Sequence, residues 1–339
     1  MSDTKTGDQR KPILPLLASS PHIASPVNSR MMMGNMLVAL TPVSIFSVLT
    51  FGLPVLLNII VAMAAAIGGE VLFRLVTRRD IRAKDLSAGV TGLLLALVIP
   101  PSLPLWMTAL GSLFAIIVAK EFFGGLGANV FNPALAGRAF LLMSFPSAMT
   151  TWHIPRERFP FALTDATSGA SYLGQLKSGA GPAPDILREF FFGYQAGSAG
   201  ETSALLILAA FVYLLVTRTI DWRAPVSMIL TSFAAAFLLG YAPLPAVLSG
   251  GLLFGAVYMT TDYVTTPLFP WGKVIFGAGA GLITILIRKF GTYPEGVCYS
   301  ILIMNCAVPF LNKLLPRKYG FVPKKAPLSG GGASRGGGK

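Results

Sequence analysis

The sequence is short of charge. Of its 339 residues 53% are hydrophobic and only 12% are charged, about half the charged share of an ordinary soluble domain. That excludes a chain solvated on all sides. Cysteine and histidine are nearly missing, with two of each. Cys298 and Cys306 both fall in the last apolar run, where they read as small apolar fillers rather than a disulfide. They form no ligand cluster with His22 or His153, so no structural zinc or haem pair is expected. Acidic residues are also scarce, 14 against 27 basic ones, which leaves a formal charge of +13. Such a surplus can mark a nucleic-acid binder. Here the basic residues gather at the ends of apolar runs, the positive-inside signature of a membrane protein, and nucleic acid is not expected as a partner. No P-loop is present, and Gly124, Gly125 and Gly127 do not follow a strand, so they are no dinucleotide fingerprint. The N-terminal residues contain no early apolar stretch, so no cleavable signal peptide is expected.

What is present is a succession of apolar runs near membrane-spanning length from about residue 35 to residue 313. They predict an all-α polytopic membrane protein. Residues 1–34 read as a polar cytoplasmic arm. Residues 35–146 would hold a first set of five helices: about 35–53, 54–76, 87–101, 104–122 and a short one from Pro133 to before Pro146. Asn132 is a good N-cap for that last helix, and Pro133 suits its first position. The helix is too short for a full crossing unless the Gly-rich stretch before it re-enters the membrane, and irregular backbone at that depth needs protein, ligand or water against it. Residues 147–200 are a polar interval of nearly balanced charge, which suits the outer side. Residues 201–313 would hold five more helices, at about 201–217, 225–241, 246–261, 272–290 and 295–313. Residues 314–339 form a basic, Gly-rich tail without acid, expected to be cytoplasmic and disordered. The basic turns at Arg74–Lys84 and Arg218–Arg223 point inward as well. Ten spans with both termini inside fit this map, except that Arg288 and Lys289 would then lie outside, against the rule.

The two halves resemble each other faintly. Residues 88–106 read AGVTGLLLALVIPPSLPLW and residues 249–271 read SGGLLFGAVYMTTDYVTTPLFPW. Each is a Gly-bearing span that ends in a polar, Pro-rich turn and a Trp. Because five is odd, the second unit would be inverted relative to the first, and inverted repeats place ligand sites near the midplane where broken helices meet.

The polar interval carries the pattern Asp165-Ala166-Thr167-Ser168-Gly169-Ala170-Ser171. Read as composition alone it is a Ser/Thr/Gly turn. It also resembles the acceptor sequence of flavin transferases, which join FMN to a protein hydroxyl through a phosphoester. Ser171 supplies the alcohol. Gly169 and Ala170 keep the backbone slim enough to enter another enzyme's cleft, and Asp165 could bind the transferase or its metal. Together with Gly124–Arg138 and with Thr260-Thr261-Asp262-Tyr263-Val264-Thr265-Thr266-Pro267 before Trp271-Gly272, this pattern makes the chain similar to the RnfD family. Members of that family are the D-type membrane component of the ion-translocating ferredoxin:NAD oxidoreductase (Rnf) complex. The chain resembles almost as closely the B-type component of the sodium-pumping NADH:quinone reductase, although it lacks that component's long N-terminal extension. The resemblance covers roughly residues 28–322.

The resemblance implies a urea-transporter-like fold of two inverted five-helix repeats in the bacterial inner membrane. It implies covalent FMN on the extracytoplasmic side, here on Ser171 where Thr is usual, with Asp165, Ser168 and Gly169 completing the motif. It implies a second, non-covalent flavin, riboflavin, within the helices, electron transfer coupled to Na+ or H+ movement, and partners among the other Rnf subunits. Those would be the FMN-bearing G subunit and the membrane A and E subunits, with a flavin transferase acting on the chain. The chain itself would bind neither NAD nor ferredoxin, since it lacks a nucleotide motif and cysteine clusters. A channel or transporter of the same fold without a redox role remains the competing reading, and it would have no use for the acceptor motif.

Asn129 and Asn132 match an Asn-x-x-Asn pair that in the family contacts riboflavin. Carboxamides can meet both the donor and acceptor edges of an isoalloxazine, and the helix from Pro133 would favour added negative charge. Alternatively Asn132 only caps that helix and Asn129 turns the loop. Asp262 is either a costly intramembrane carboxylate with an ion or flavin role or an interfacial carboxylate in a turn with Thr265 and Thr266. Arg138 is expected to face the interior and pair with a flavin or a partner subunit. Glu70 and Arg74 read as an exposed i,i+4 pair, and Phe190–Phe192 as a surface anchor.

Overall fold

Proline and glycine set where the helices start and stop. In a computed structural model that describes residues 28–80, 85–152, 172–177, 186–193, 196–201, 203–291 and 295–314, every regular element among the described residues is a helix. α1 (Ser29–Phe51) is capped by Asn28, whose side chain accepts from Met31 N–H at 2.8 Å. It begins six residues inside the stretch read as an arm. Gly52, at φ +82, turns the chain into α2 (Leu53–Val76), with Pro54 in its first turn. α3 (Ser87–Val98) is buried along its whole length. The Pro100–Pro104 turn leads into α4 (Leu105–Leu113), which continues as a π-helix over Phe114–Glu121. Asn58 of α2 ties this turn down: it donates to Pro101 O at 3.0 Å and accepts from Thr108 Oγ1 at 2.7 Å. α5 (Pro133–Ser144) starts where the sequence places it.

The polar interval contains α6 (Pro146–Thr150), α7 (Tyr172–Lys177) and α8 (Ile186–Phe192). α9 (Ala204–Val216) and α10 (Arg223–Leu238) follow. The span expected at 246–261 is broken. α11 (Pro243–Leu248) stops at Ser249, and after Gly250 and Gly251, both at positive φ, α12 (Leu252–Phe254) runs into a π-helix over Gly255–Met259. α13 (Pro270–Phe290) and α14 (Val297–Leu314) close the chain.

Among the described residues four helices, α1, α2, α13 and α14, are long and apolar enough to cross a membrane; α3, α9 and α10 are shorter apolar helices. Apolar side chains such as Val76, Val216, Leu238 and Phe290 point outward, as lipid-facing residues do. The chain is a multi-pass membrane protein. Small residues let its helices approach closely. A Cβ on Gly277 of α13 would lie 2.2 Å from Ala224 O of α10, and one on Gly281 would lie 2.5 Å from Met228 O. Gly92 of α3 meets Ala62 O of α2 in the same way, at 2.7 Å.

Candidate functional site

Two helix starts converge on one cavity. At the first, Asp85 Oδ1 accepts from both the N–H and the hydroxyl of Ser87, at 2.9 and 2.7 Å, and so caps α3. At the second, Asn132 Oδ1 accepts from Ala134 and Leu135 N–H at 3.1 and 3.4 Å and caps α5. Between them the chain passes through Gly124, Gly125 and Gly127, all at positive φ. Asn129 donates from Nδ2 to Phe131 O at 3.1 Å. The cap reading of Asn132 and the turn reading of Asn129 are therefore both realised, and both residues also line the cavity. Ser87, Lys120, Tyr258, Asp262 and Tyr263 share that wall, with Met33 and Met36 from α1. The empty space is about 590 Å³, open solvent at its mouth included.

Asp262 accepts from Thr265 Oγ1 at 2.9 Å and from Val264 N–H at 3.4 Å, a turn carboxylate as one reading held. Yet it also separates the first cavity from a second, of about 530 Å³, lined by Asp221, Thr260, Thr261 and Lys273. Thr265 lies behind this wall. The carboxamide of Asn305, oriented to satisfy both neighbours, donates to Thr265 O and accepts from Asn132 N–H, each at 3.1 Å. Asn305 thus joins two stretches that the sequence singled out separately. Nothing in its apolar surroundings on α14 announces that role.

Lys120 was likewise not legible. Its ammonium donates to Ser87 Oγ at 2.7 Å and to Glu70 at 3.2 Å. Glu70 also lies 3.5 Å from Arg74, and Arg74 pairs with Glu121 at 2.9 Å and donates to Asp80 O. The pair read as exposed is therefore buried, with Glu70 1% and Arg74 4% accessible. The reason is the π-helix, which delivers two consecutive charged residues, Lys120 and Glu121, into the packed face.

Arg138 faces the interior as expected but does not line the cavity. α14 runs antiparallel to α5: Asn305 meets Asn132, Cys298 Sγ meets Leu135 O at 3.4 Å, and Glu295 pairs with Arg138. Six residues along α5 put Arg138 about 9 Å from the helix start. Glu201 and Arg288 belong to the same buried charged group.

Asp165, Ser168, Gly169 and Ser171 lie outside the described residues. The helix that follows them, α7, does not. Leu173 sits over Gly250, where a Cβ would come 2.3 Å from Leu173 Cδ1 and 3.0 Å from the Arg288 guanidinium. Tyr172 packs edge-on against Phe190 at 5.2 Å, so Phe190 is buried while only Phe191 and Phe192 face outward. Arg288 donates to the carbonyls of Ala246, Ser249 and Gly250. It is a buried structural cation, which explains why it breaks the charge rule for loops. Arg288 lies 15 residues from Lys273 along α13, about 22 Å. Lys273 borders the second cavity, so the peptide after Ser171 and the cavities sit toward opposite ends of α13.

The donor set of the first cavity comprises one ammonium, two carboxamides and the positive ends of two helices, with two tyrosines beside them. It offers donors and acceptors to a planar polar ligand, with the Asp262 carboxylate on the same wall set against the positive groups. Among the described residues no group of His, Cys, Asp and Glu is arranged to hold a metal ion.

The sequence model of the NQR2, RnfD, RnfE family matches residues 16–320. The D component of the proton-translocating ferredoxin:NAD(+) oxidoreductase complex of Clostridium ljungdahlii is 40% identical over 320 residues, covering 90% of this chain and 96% of the relative. The D component of the Na(+)-translocating ferredoxin:NAD(+) oxidoreductase complex of Acetobacterium woodii is 40% identical over 301 residues, 88% of this chain and 92% of the relative. The D component of the ion-translocating oxidoreductase complex of Escherichia fergusonii is 35% identical over 345 residues, with 90% and 98% covered. Similarity of this extent reaches from the start of α1 past the end of α14, through both helix starts at the cavity, and it makes the chain a member of the NQR2, RnfD, RnfE family.

Proposed function

We propose that this chain is the RnfD-type membrane component of an ion-translocating ferredoxin:NAD+ oxidoreductase and carries electrons between two flavins. FMN would be esterified to Ser171, and riboflavin would occupy the cavity at Asn129 and Asn132. The observation that carries the reading is the division of the molecule along α13. The peptide just after the acceptor packs near Arg288, and the cavity lies toward the Lys273 end. A carrier at each end is what a protein moving electrons through a membrane needs. The flavins supply one- and two-electron chemistry. The chain's residues do the rest. Asn129 and Asn132 would orient the ring edge, Lys120 and the starts of α3 and α5 would balance charge, and Met33 and Met36 would supply apolar wall.

The fold supports a further reading, two five-helix units of opposite orientation as in urea transporters. α3 and α12 each start after a residue at positive φ, Leu86 or Gly251, and each leads into a Pro-containing turn. Each start is also bound by a cation late in the next long helix: Lys120 on Ser87, Arg288 on Ser249 and Gly250. Both termini would face the cytoplasm of a bacterium and the acceptor loop the outside of its inner membrane. There it would meet the FMN-bearing G subunit, with the membrane A and E subunits alongside. The coupling ion is Na+ or H+.

The test is mass spectrometry of the tryptic peptide 159–177, with acid extraction of free flavin from the same sample. An FMN phosphoester on Ser171 together with released riboflavin is the expected result. An unmodified serine in protein made with its flavin transferase would overturn the first half, and absence of riboflavin the second.

A further inference from the structure

We propose that Lys120 sets the redox potential of the ligand in the Asn129–Asn132 cavity and that Glu70 tunes it by holding the ammonium from behind. The inference rests on the proposed riboflavin site. Lys120 is 2% accessible and lies on the cavity wall, so its ammonium is shielded from water. Burying an ammonium costs several kcal/mol unless it is paired. The pairing here is one-sided: Glu70 at 3.2 Å and Ser87 at 2.7 Å engage it, and the cavity lies in front. Glu70 Oε1 lies between two cations, Lys120 at 3.2 Å and Arg74 at 3.5 Å, and this pairing on both sides favours the ionised carboxylate that is set against the ammonium. The π-helix Phe114–Glu121 makes the arrangement possible by turning both Lys120 and Glu121 inward, and such turns recur at functional sites. The starts of α3 and α5 add partial positive charge from two more directions.

A flavin held in the cavity would gain one negative charge for each electron it took from a reduced flavin on Ser171, which would lose that electron, with no bond made or broken. Lys120 would offset that charge. Glu70 competes for the same ammonium, so its carboxylate holds the potential down.

The experiment is spectroelectrochemical titration of the assembled complex, with riboflavin quantified by acid extraction. It compares the parent protein with Lys120→Gln, Lys120→Arg and Glu70→Gln. Lys120→Gln should lower the non-covalent flavin's potential by about tenfold in the one-electron equilibrium, about 59 mV. Lys120→Arg should restore most of it, and Glu70→Gln should move it upward. A Lys120→Gln complex that holds riboflavin at the parent potential overturns the proposal, as do shifts of the same sign in Lys120→Gln and Glu70→Gln. Should Lys120→Gln lose the ligand, Glu70→Gln decides alone: an upward shift supports the proposal, and any other result overturns it. Absence of riboflavin from the parent complex is a different failure, that of the proposed function.

Discussion

At the residue scale the two asparagines separate structure from binding. Asn132 Oδ1 satisfies two of the N–H groups at the start of α5, whereas Asn129 makes a single loop bond. Asn132→Ala should therefore cost about 1 kcal/mol of stability, seen as a lower unfolding midpoint in detergent. Asn129→Ala should leave that midpoint unchanged and lose extractable riboflavin; full riboflavin content in Asn129→Ala would remove this residue from the site. Asp221, in the turn between α9 and α10, supplies a pH dependence. Burial alone would raise its pKa, but the Arg223 N–H, the Lys273 ammonium at 3.0 Å and the Arg223 guanidinium at 2.9 Å outweigh it and hold the carboxyl below its ordinary value. A carboxyl depressed by folding stabilises above its unfolded pKa of about 3.9 and loses that contribution as pH falls through the folded value. The midpoint gap between the parent and Asp221→Asn should be constant from pH 7 to 5 and narrow steadily as pH falls below about 4. A gap that does not narrow below pH 4 would mean the ion pairs are not its source. The sequence marked Asn129, Asn132 and Asp262 because polar groups stand out in apolar runs. It did not mark Lys120, Glu121 or Asn305, because their partners lie far along the chain, and it misread Glu70 because i,i+4 spacing says nothing about what packs on top.

At the element scale, caps and prolines were good guides and small residues were not. Pro133 and Asn132 fixed the start of α5, and the Pro100–Pro104 turn was visible in the sequence. The break at Ser249–Gly251 was hidden because glycine is common in membrane helices for packing as well as for breaking them. Neither π-helix has a sequence signature; each follows from packing. The interface of α10 and α13 gives the clearest test of this packing. Gly277 carries its missing Cβ 2.2 Å from Ala224 O and 2.1 Å from Ser227 Oγ. A backbone carbonyl cannot rotate away, so Gly277→Ala must push the two helices apart. Overpacking of this kind costs about 1–3 kcal/mol. Gly279→Ala is the control, since the side chain it meets, Met304, is flexible. The expected order of unfolding midpoints is parent, then Gly279→Ala, then Gly277→Ala. Equal midpoints for the two variants would show that the helices can separate without loss.

At the scale of the whole molecule, the division along α13 becomes a statement about sides. Asp80 follows Arg78 and Arg79 at the end of α2, beside the Arg74–Glu121 network. The peptide after Ser171 packs near Arg288 instead. Basic turns stay in the cytoplasm because moving them across costs energy that the inserting chain avoids, so the Asp80 end should be inside and α7 outside. Buried Arg288 does not count against this, since its charge is engaged by three carbonyls rather than left in a loop. The measurement is labelling of single cysteines by an impermeant maleimide in intact cells, in a background with Cys298 and Cys306 replaced. Ala180→Cys should react from outside, whereas Asp80→Cys and Gly330→Cys should react only after permeabilisation. Reaction at position 80 in intact cells would reverse the orientation. It would put the cavity with Asn129 and Asn132 on the outer side and the peptide from Tyr172 within, the reverse of the arrangement proposed for the two flavins.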